Sequence, residues 1–169
     1  MGELRWLEGY SGQSTEELIA LEGQFRTDSL ACAFEEALQQ KAARVGMENL
    51  STEERVVLAV EALEREVNNG GYDQFFRNPS NEFAPIVVDA LHRIGRPDAA
   101  AVTQDAINAI AMWPPLTVQA IDDAMDDDCE IRDDMLEECD ERYFTSVRDL
   151  AEPLLEFIKS HRSTMRLRD

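Results

Sequence analysis

The segment from Ser51 to Gly71 constrains the fold more tightly than any other part of the chain. Ser51 followed by Glu54 is a capping box, in which each side chain accepts the other residue's backbone N–H at the start of a helix. Val56, Val60, Leu63 and Val67 then recur at intervals that place them on one helical face, with Glu53, Glu61, Glu64 and Arg65 on the wet side. Gly70-Gly71 is expected to stop this helix, because glycine accepts the left-handed conformation that closes a helix end.

The same grammar recurs on both sides. Ser14 with Glu17 opens a helix near residue 15, and Leu18, Leu21 and Phe25 give it an apolar stripe. Leu30, Phe34 and Leu38 continue toward Gly46 after a break around Thr27 and Asp28, so this region holds one or two helices. Phe83, Ile86, Val87, Ala90, Leu91 and Ile94 mark another face, closed by Gly95, and Pro97 suits the first turn of the next helix. Val102, Ala106 and Ile110 carry that helix toward Trp113, where Pro114-Pro115 must end it. Leu150, Leu154 and Ile158 form a last stripe, and Pro153 requires its helix to begin late or bend.

No run with period two, bounded by turn residues, supports a strand. The expected fold class is all-α, a single compact multi-helix domain over 1–169 with about six to eight helices.

Charge narrows the function classes. With 35 Asp and Glu against 16 Lys and Arg, the formal net charge is −19. Such a field repels phosphate backbones and anionic membranes and steers cationic surfaces inward, so direct nucleic-acid binding is not expected. Cys32, Cys129 and Cys139 are odd in number and lack a C-x-x-C pair, as reduced thiols would. The N-terminus carries no cationic start before an apolar run, and no apolar stretch nears the roughly 18 residues of a membrane span. A cytoplasmic location is the expectation.

Most of the field comes from one place. Between residues 121 and 141 lie Asp122, Asp123, Asp126, Asp127, Asp128, Glu130, Asp133, Asp134, Glu137, Glu138, Asp140 and Glu141, twelve carboxylates against one cation, Arg132. On a helix this would be about one net charge every 3 Å, close to the 3.4 Å per charge of a DNA strand. Ile121 and Met125 keep one apolar register while Ile131, Met135, Cys139 and Tyr143 keep another, so two helices with a break near Asp127 and Asp128 are expected. Three readings of this ridge are open: a solvated face without a partner, a surface for a basic protein, or a cation loop. Asp126, Asp128, Glu130 and Glu137 match positions 1, 3, 5 and 12 of a calcium loop. Ile131 stands where that loop needs glycine, so no metal is expected.

Glu66-Val67-Asn68-Asn69-Gly70-Gly71-Tyr72-Asp73-Gln74-Phe75-Phe76-Arg77-Asn78 is the most distinctive string. Read physically, Gly70 and Gly71 free the backbone at a helix end. Asn68, Asn69, Gln74 and Asn78 can bond released backbone groups, and Tyr72, Phe75 and Phe76 anchor the corner. The string resembles the E-V-N-N-G-G-aromatic-x-Q-aromatic-F-x-N signature of a bacterial domain family of unknown general function that includes an acidic DNA mimic. The likeness runs over about residues 50–112. It implies an all-helical fold and, from the mimic, a homodimer whose carboxylates imitate phosphates on the DNA-binding face of a transcription factor. The signature does not itself contain the acidic ridge, so the function passes to this chain through the ridge's own charge density.

Catalysis is not expected. His92 and His161 sit in no ligand or nucleophile motif, and no phosphate-binding loop, dinucleotide fingerprint or nucleophile elbow is present. No cofactor is called for. The leading expectation is therefore an acidic protein that binds a basic DNA-binding partner through the ridge. An adaptor domain whose acidity serves only solubility, and a small-ligand domain at the Asn-Gly corner, are the alternatives.

Overall fold

The computed structural model describes residues 2–111 and 113–168. Its helices are α1 (Thr15–Ile19), α2 (Thr27–Val45), α3 (Thr52–Arg77), α4 (Ala84–Arg93), α5 (Pro97–Ala109), α6 (Val118–Asp126), α7 (Glu130–Ser146) and α8 (Ala151–Ser160). Short 3-10 turns at Met47–Asn49 and Pro79–Phe83 interrupt them, and no strand occurs among the described residues. The protein is all-α. The chain divides into two compact units, Met1–Glu61 with Ala151–Asp169, and Ala62–Leu150.

In the first unit, the Ser14 and Glu17 capping box opens α1, but the helix ends at Ile19 rather than running on through Leu21 and Phe25. Gly23, at φ +79°, turns the chain there. Helix α2 starts at the expected break. Its Leu30, Phe34 and Leu38 are fully buried, Gly46 at φ +90° ends it, and it packs against α8. Pro153 lies in the first turn of α8, where no backbone donor is missed.

Ser51 and Glu54 form the second capping box as expected, with bonds of 3.0 and 3.1 Å. Glu54 is fully buried and does more than cap. It also receives Lys41 Nζ at 2.8 and 3.0 Å and the Arg166 N–H at 2.8 Å, while Lys41 donates to the Arg166 carbonyl. A buried ion pair is tolerable only with such saturation of its donors and acceptors. Glu61 departs from the expected wet side. Positions 56 to 63 are all buried, so the helix has no wet side there, and the Cys32 thiol donates to Glu61 at 3.9 Å.

In the second unit, α4 packs on α5 and α5 on α7, around fully buried Tyr72, Phe75, Phe76, Leu91 and Ile121. Gly95 at φ +78° and Pro97 make the turn between α4 and α5 as expected. Helix α5 closes before the prolines, with Ala111 at φ +54°. Gly70-Gly71 ends the first helical run of α3 as expected, and a second run follows across the kink. Gly70 (φ −159°, ψ 19°) and Gly71 (φ +76°, ψ −175°) leave helical geometry, and the helix resumes and runs to Arg77.

Candidate functional site

The acidic window forms the expected two helices, with a break over residues 127–129. Thr117 caps α6 by accepting the Ala120 N–H, and Ile121 and Met125 bury its apolar side. At the bend, the Arg132 guanidinium turns inward and is 5% exposed. Its Nη1 donates to the carbonyls of Ala124 and Asp127, both at 2.8 Å, and Arg77 Nη1 donates to that of Met125 at 2.7 Å. These carbonyls at the end of α6 have no helical partner, and a cation there also meets the negative end of the helix dipole.

That inward turn resets the register of α7. Its buried stripe is Arg132, Leu136, Cys139 and Tyr143, whereas Ile131 and Met135, expected to share the stripe with Cys139 and Tyr143, are 74% and 44% exposed. The only cation of the window therefore lies under the surface.

The twelve carboxylates have different fates. Asp122 is half-buried and accepts Asn81 Nδ2 at 2.8 Å. Asp140 is half-buried and accepts the Tyr72 N–H at 2.7 Å, while Asp133 holds Arg132 from outside and Asp123 accepts Gln119. Asp126, Asp127, Asp128, Glu130, Asp134, Glu137, Glu138 and Glu141 are exposed, and none of them forms an ion pair among the described residues. Glu130, Asp134 and Glu138, and separately Glu137 and Glu141, stand one turn apart. Each such pair costs α7 about 0.2–0.5 kcal/mol.

The Asn-Gly corner joins this ridge through Asp140. The first N–H after the kink, that of Tyr72, has no partner within its helix, and Asp140 supplies one from α7. A Cβ on Gly71 would lie 2.2 Å from Asp140 Oδ2, so only glycine lets the carboxylate in. Burial, with the charges of Asp73 and Glu137, pushes the Asp140 carboxyl up despite that bond.

Across the kink, Glu66 accepts Gln74 Nε2 at 2.7 Å, Asn78 Nδ2 at 2.9 Å and Ser80 Oγ at 2.7 Å. Burial pushes Glu66 up, and the hydrogen bonds from Gln74, Ser80 and Asn78 together hold it below its ordinary value. Glu64 ends on the other side, pushed up by burial even though Asn68 and the Tyr143 hydroxyl donate to it. The corner's polar side chains thus do not converge on one point. Gln74 and Asn78 turn to Glu66, Asn68 turns to Glu64, and Asn69 is exposed. Tyr72, Phe75 and Phe76 are fully buried, and the Tyr72 hydroxyl bonds Thr103 at 2.8 Å.

Sequence reasoning missed Arg132 and Arg77 as the cap of α6, Asn81 as the holder of Asp122, and Glu66 as the hub of the corner. A lone cation in an acidic run was the available signal for Arg132. The other three carried none beyond their residue types.

Among the described residues, no group of three His, Cys, Asp or Glu side chains is placed to hold a metal ion, and positions 130 to 137 of the calcium-loop spacing are helical. No described helix is long and apolar enough to cross a membrane. No curated protein and no solved structure matches the chain. The family model described as DMP19-like protein matches residues 48–161, which run from the start of α3 through the corner and both acidic helices to the end of α8. The chain belongs to the DMP19-like protein family.

Proposed function

We propose that this protein is a DNA mimic. The carboxylates of α6 and α7 stand in for phosphates, occupy the DNA-binding surface of a basic partner such as a transcription factor, and exclude DNA from it. The observation that carries this reading is the set of eight exposed, unpaired carboxylates along α6, the bend and α7, over a buried Arg132. Glu130, Asp134, Glu137, Glu138 and Glu141 share the outward side of α7 within about 16 Å. That is about one charge per 3 Å, near the 3.4 Å of a DNA strand. A face selected for solubility alone would interleave Lys and Arg with the acids. Membership of a DNA-mimic-like family supports the same reading.

The test is capture from lysate at low salt, with elution by salt and identification of the bound protein. The expected result is a DNA-binding protein that duplex DNA displaces. Reversal of Asp126, Asp128, Asp134 and Glu138 to Lys should abolish capture while leaving the helical circular dichroism unchanged. These four are exposed and hold no neighbour, unlike Asp122, Asp133 and Asp140. Salt-resistant capture, or capture that survives the reversal, would overturn the proposal in favour of an apolar adaptor surface.

A further inference from the structure

The inward turn of Arg132 leaves Ile131 and Met135 one turn apart on the outer side of α7, 74% and 44% exposed. At about 100° per residue, Asp134 and Glu138 run along one edge of this pair, and Arg132 and Cys139 lie buried along the other. Neither simple account of the ridge uses such a strip. A solvated face gains nothing from a β-branched aliphatic side chain in water, and a phosphate string has no apolar element.

We infer that the Ile131 and Met135 strip seats a cationic amphipathic helix. Its aliphatic side chains cover the strip, and its Lys or Arg side chains reach Asp134 and Glu138. The inference rests on the DNA-mimic reading and narrows the partner. Elements that read the major groove carry apolar side chains for thymine methyls among their cations, whereas elements that only grip the backbone carry cations and hydrogen-bond donors. The occupant is therefore a groove-reading helix.

Charge complementarity selects that occupant over the others. A second copy would set Asp134 and Glu138 against their own kind in a chain of net charge −19. A plain polycation would satisfy the carboxylates and leave the strip wet.

Two fluorescent synthetic helical peptides of equal length and charge provide the test. Both carry the same Lys positions; one has a Leu stripe between them and the other has Gln there. In anisotropy titrations against the full chain, the Leu peptide should bind about tenfold tighter. Ile131→Ser with Met135→Ser should erase that difference and leave the Gln peptide unchanged, with circular dichroism confirming the fold. Equal affinity of the two peptides, or a difference that survives the double substitution, overturns the strip. The four-Lys charge-reversed variant separates the two levels: if both peptides bind it as well as the original chain, the phosphate-track reading itself fails. If both weaken but remain equal to each other, only the strip is lost.

Discussion

Helices α3 and α7 are both rich in carboxylates and use them in opposite ways. On α3, Glu54, Glu64 and Glu66 point at donors, and the contacts range from Lys41 to the Tyr143 hydroxyl to the amides of Gln74 and Asn78. On α7, Glu130, Asp134, Glu137, Glu138 and Glu141 point at water. The cations of the C-terminal segment follow the α3 pattern, with Lys159 paired to Glu22 and Glu156 and Arg168 to Glu17. Net charge therefore says little about where a protein is negative. The field survives only where the fold assigns a carboxylate no donor.

Lys41 holds Glu54, the most deeply buried of the α3 carboxylates. Lys41→Met strands Glu54 as a buried charge, and urea denaturation should show a loss of about 3–5 kcal/mol. A loss below 1 kcal/mol would mean that water reaches Glu54. Next is Gly71→Ala, which combines a positive φ with a Cβ driven into Asp140 and should cost roughly 2–3 kcal/mol. Pairing it with Asp140→Ala should recover part of that cost, and strict additivity of the two would show that the contact is not the cause.

Glu66→Gln should cost about 1–2 kcal/mol at neutral pH, through weakened acceptance from three donors. Its carboxyl sits below the ordinary value of 4.5 in the fold, so its stabilisation is complete above that pH and lost as pH falls through the lower folded value. The stability difference between Glu66→Gln and the original chain should accordingly shrink in acid. Glu64, pushed upward, has the reverse sign: its ionised form is the disfavoured one, and acid relieves that cost. Glu64→Gln should therefore cost less than Glu66→Gln at pH 7, and a larger cost would undo the contrast.

The smallest effect is on the ridge itself. Asp134→Lys turns two like-charge contacts on α7 into attractive ones and should raise stability by about 0.5–1 kcal/mol at low salt, with the gain fading in high salt. A destabilisation would mean that the ridge has structural partners.

Much of the architecture was legible because its signals are local. Both capping boxes, the ends at Gly46 and Gly95, the early Pro153 and the break near Asp127 follow from residues within a turn of the feature they mark. What escaped depended on contacts between one helix and another, most of them far apart along the chain. Gly70-Gly71 interrupts the helix as its residues indicate, but the second run that starts at Tyr72 depends on Asp140, remote in sequence, which accepts the Tyr72 N–H. Helix α7 takes Arg132 rather than Ile131 inward because carbonyls at the end of α6 require a donor. Asp122 and Asp140, counted among the ridge by composition, are drawn into packing by Asn81 and Tyr72. Aromatic residue type alone does not separate Tyr143, which is buried, from Trp6 and Trp113, which are 46% and 75% exposed.

The placement of Arg132 has a thermodynamic corollary. A flexible acidic tail of the same composition would have to surrender its conformational freedom on meeting a partner, at about 1–2 kcal/mol for each residue ordered. Here the bend between α6 and α7 is clamped beforehand by the one positive side chain in the window, and the backbone that carries the carboxylates is already folded. Under the proposed function, association would lose little chain entropy, and a partner would be discriminated by whether its cations match the carboxylate spacing rather than by how much charge it carries.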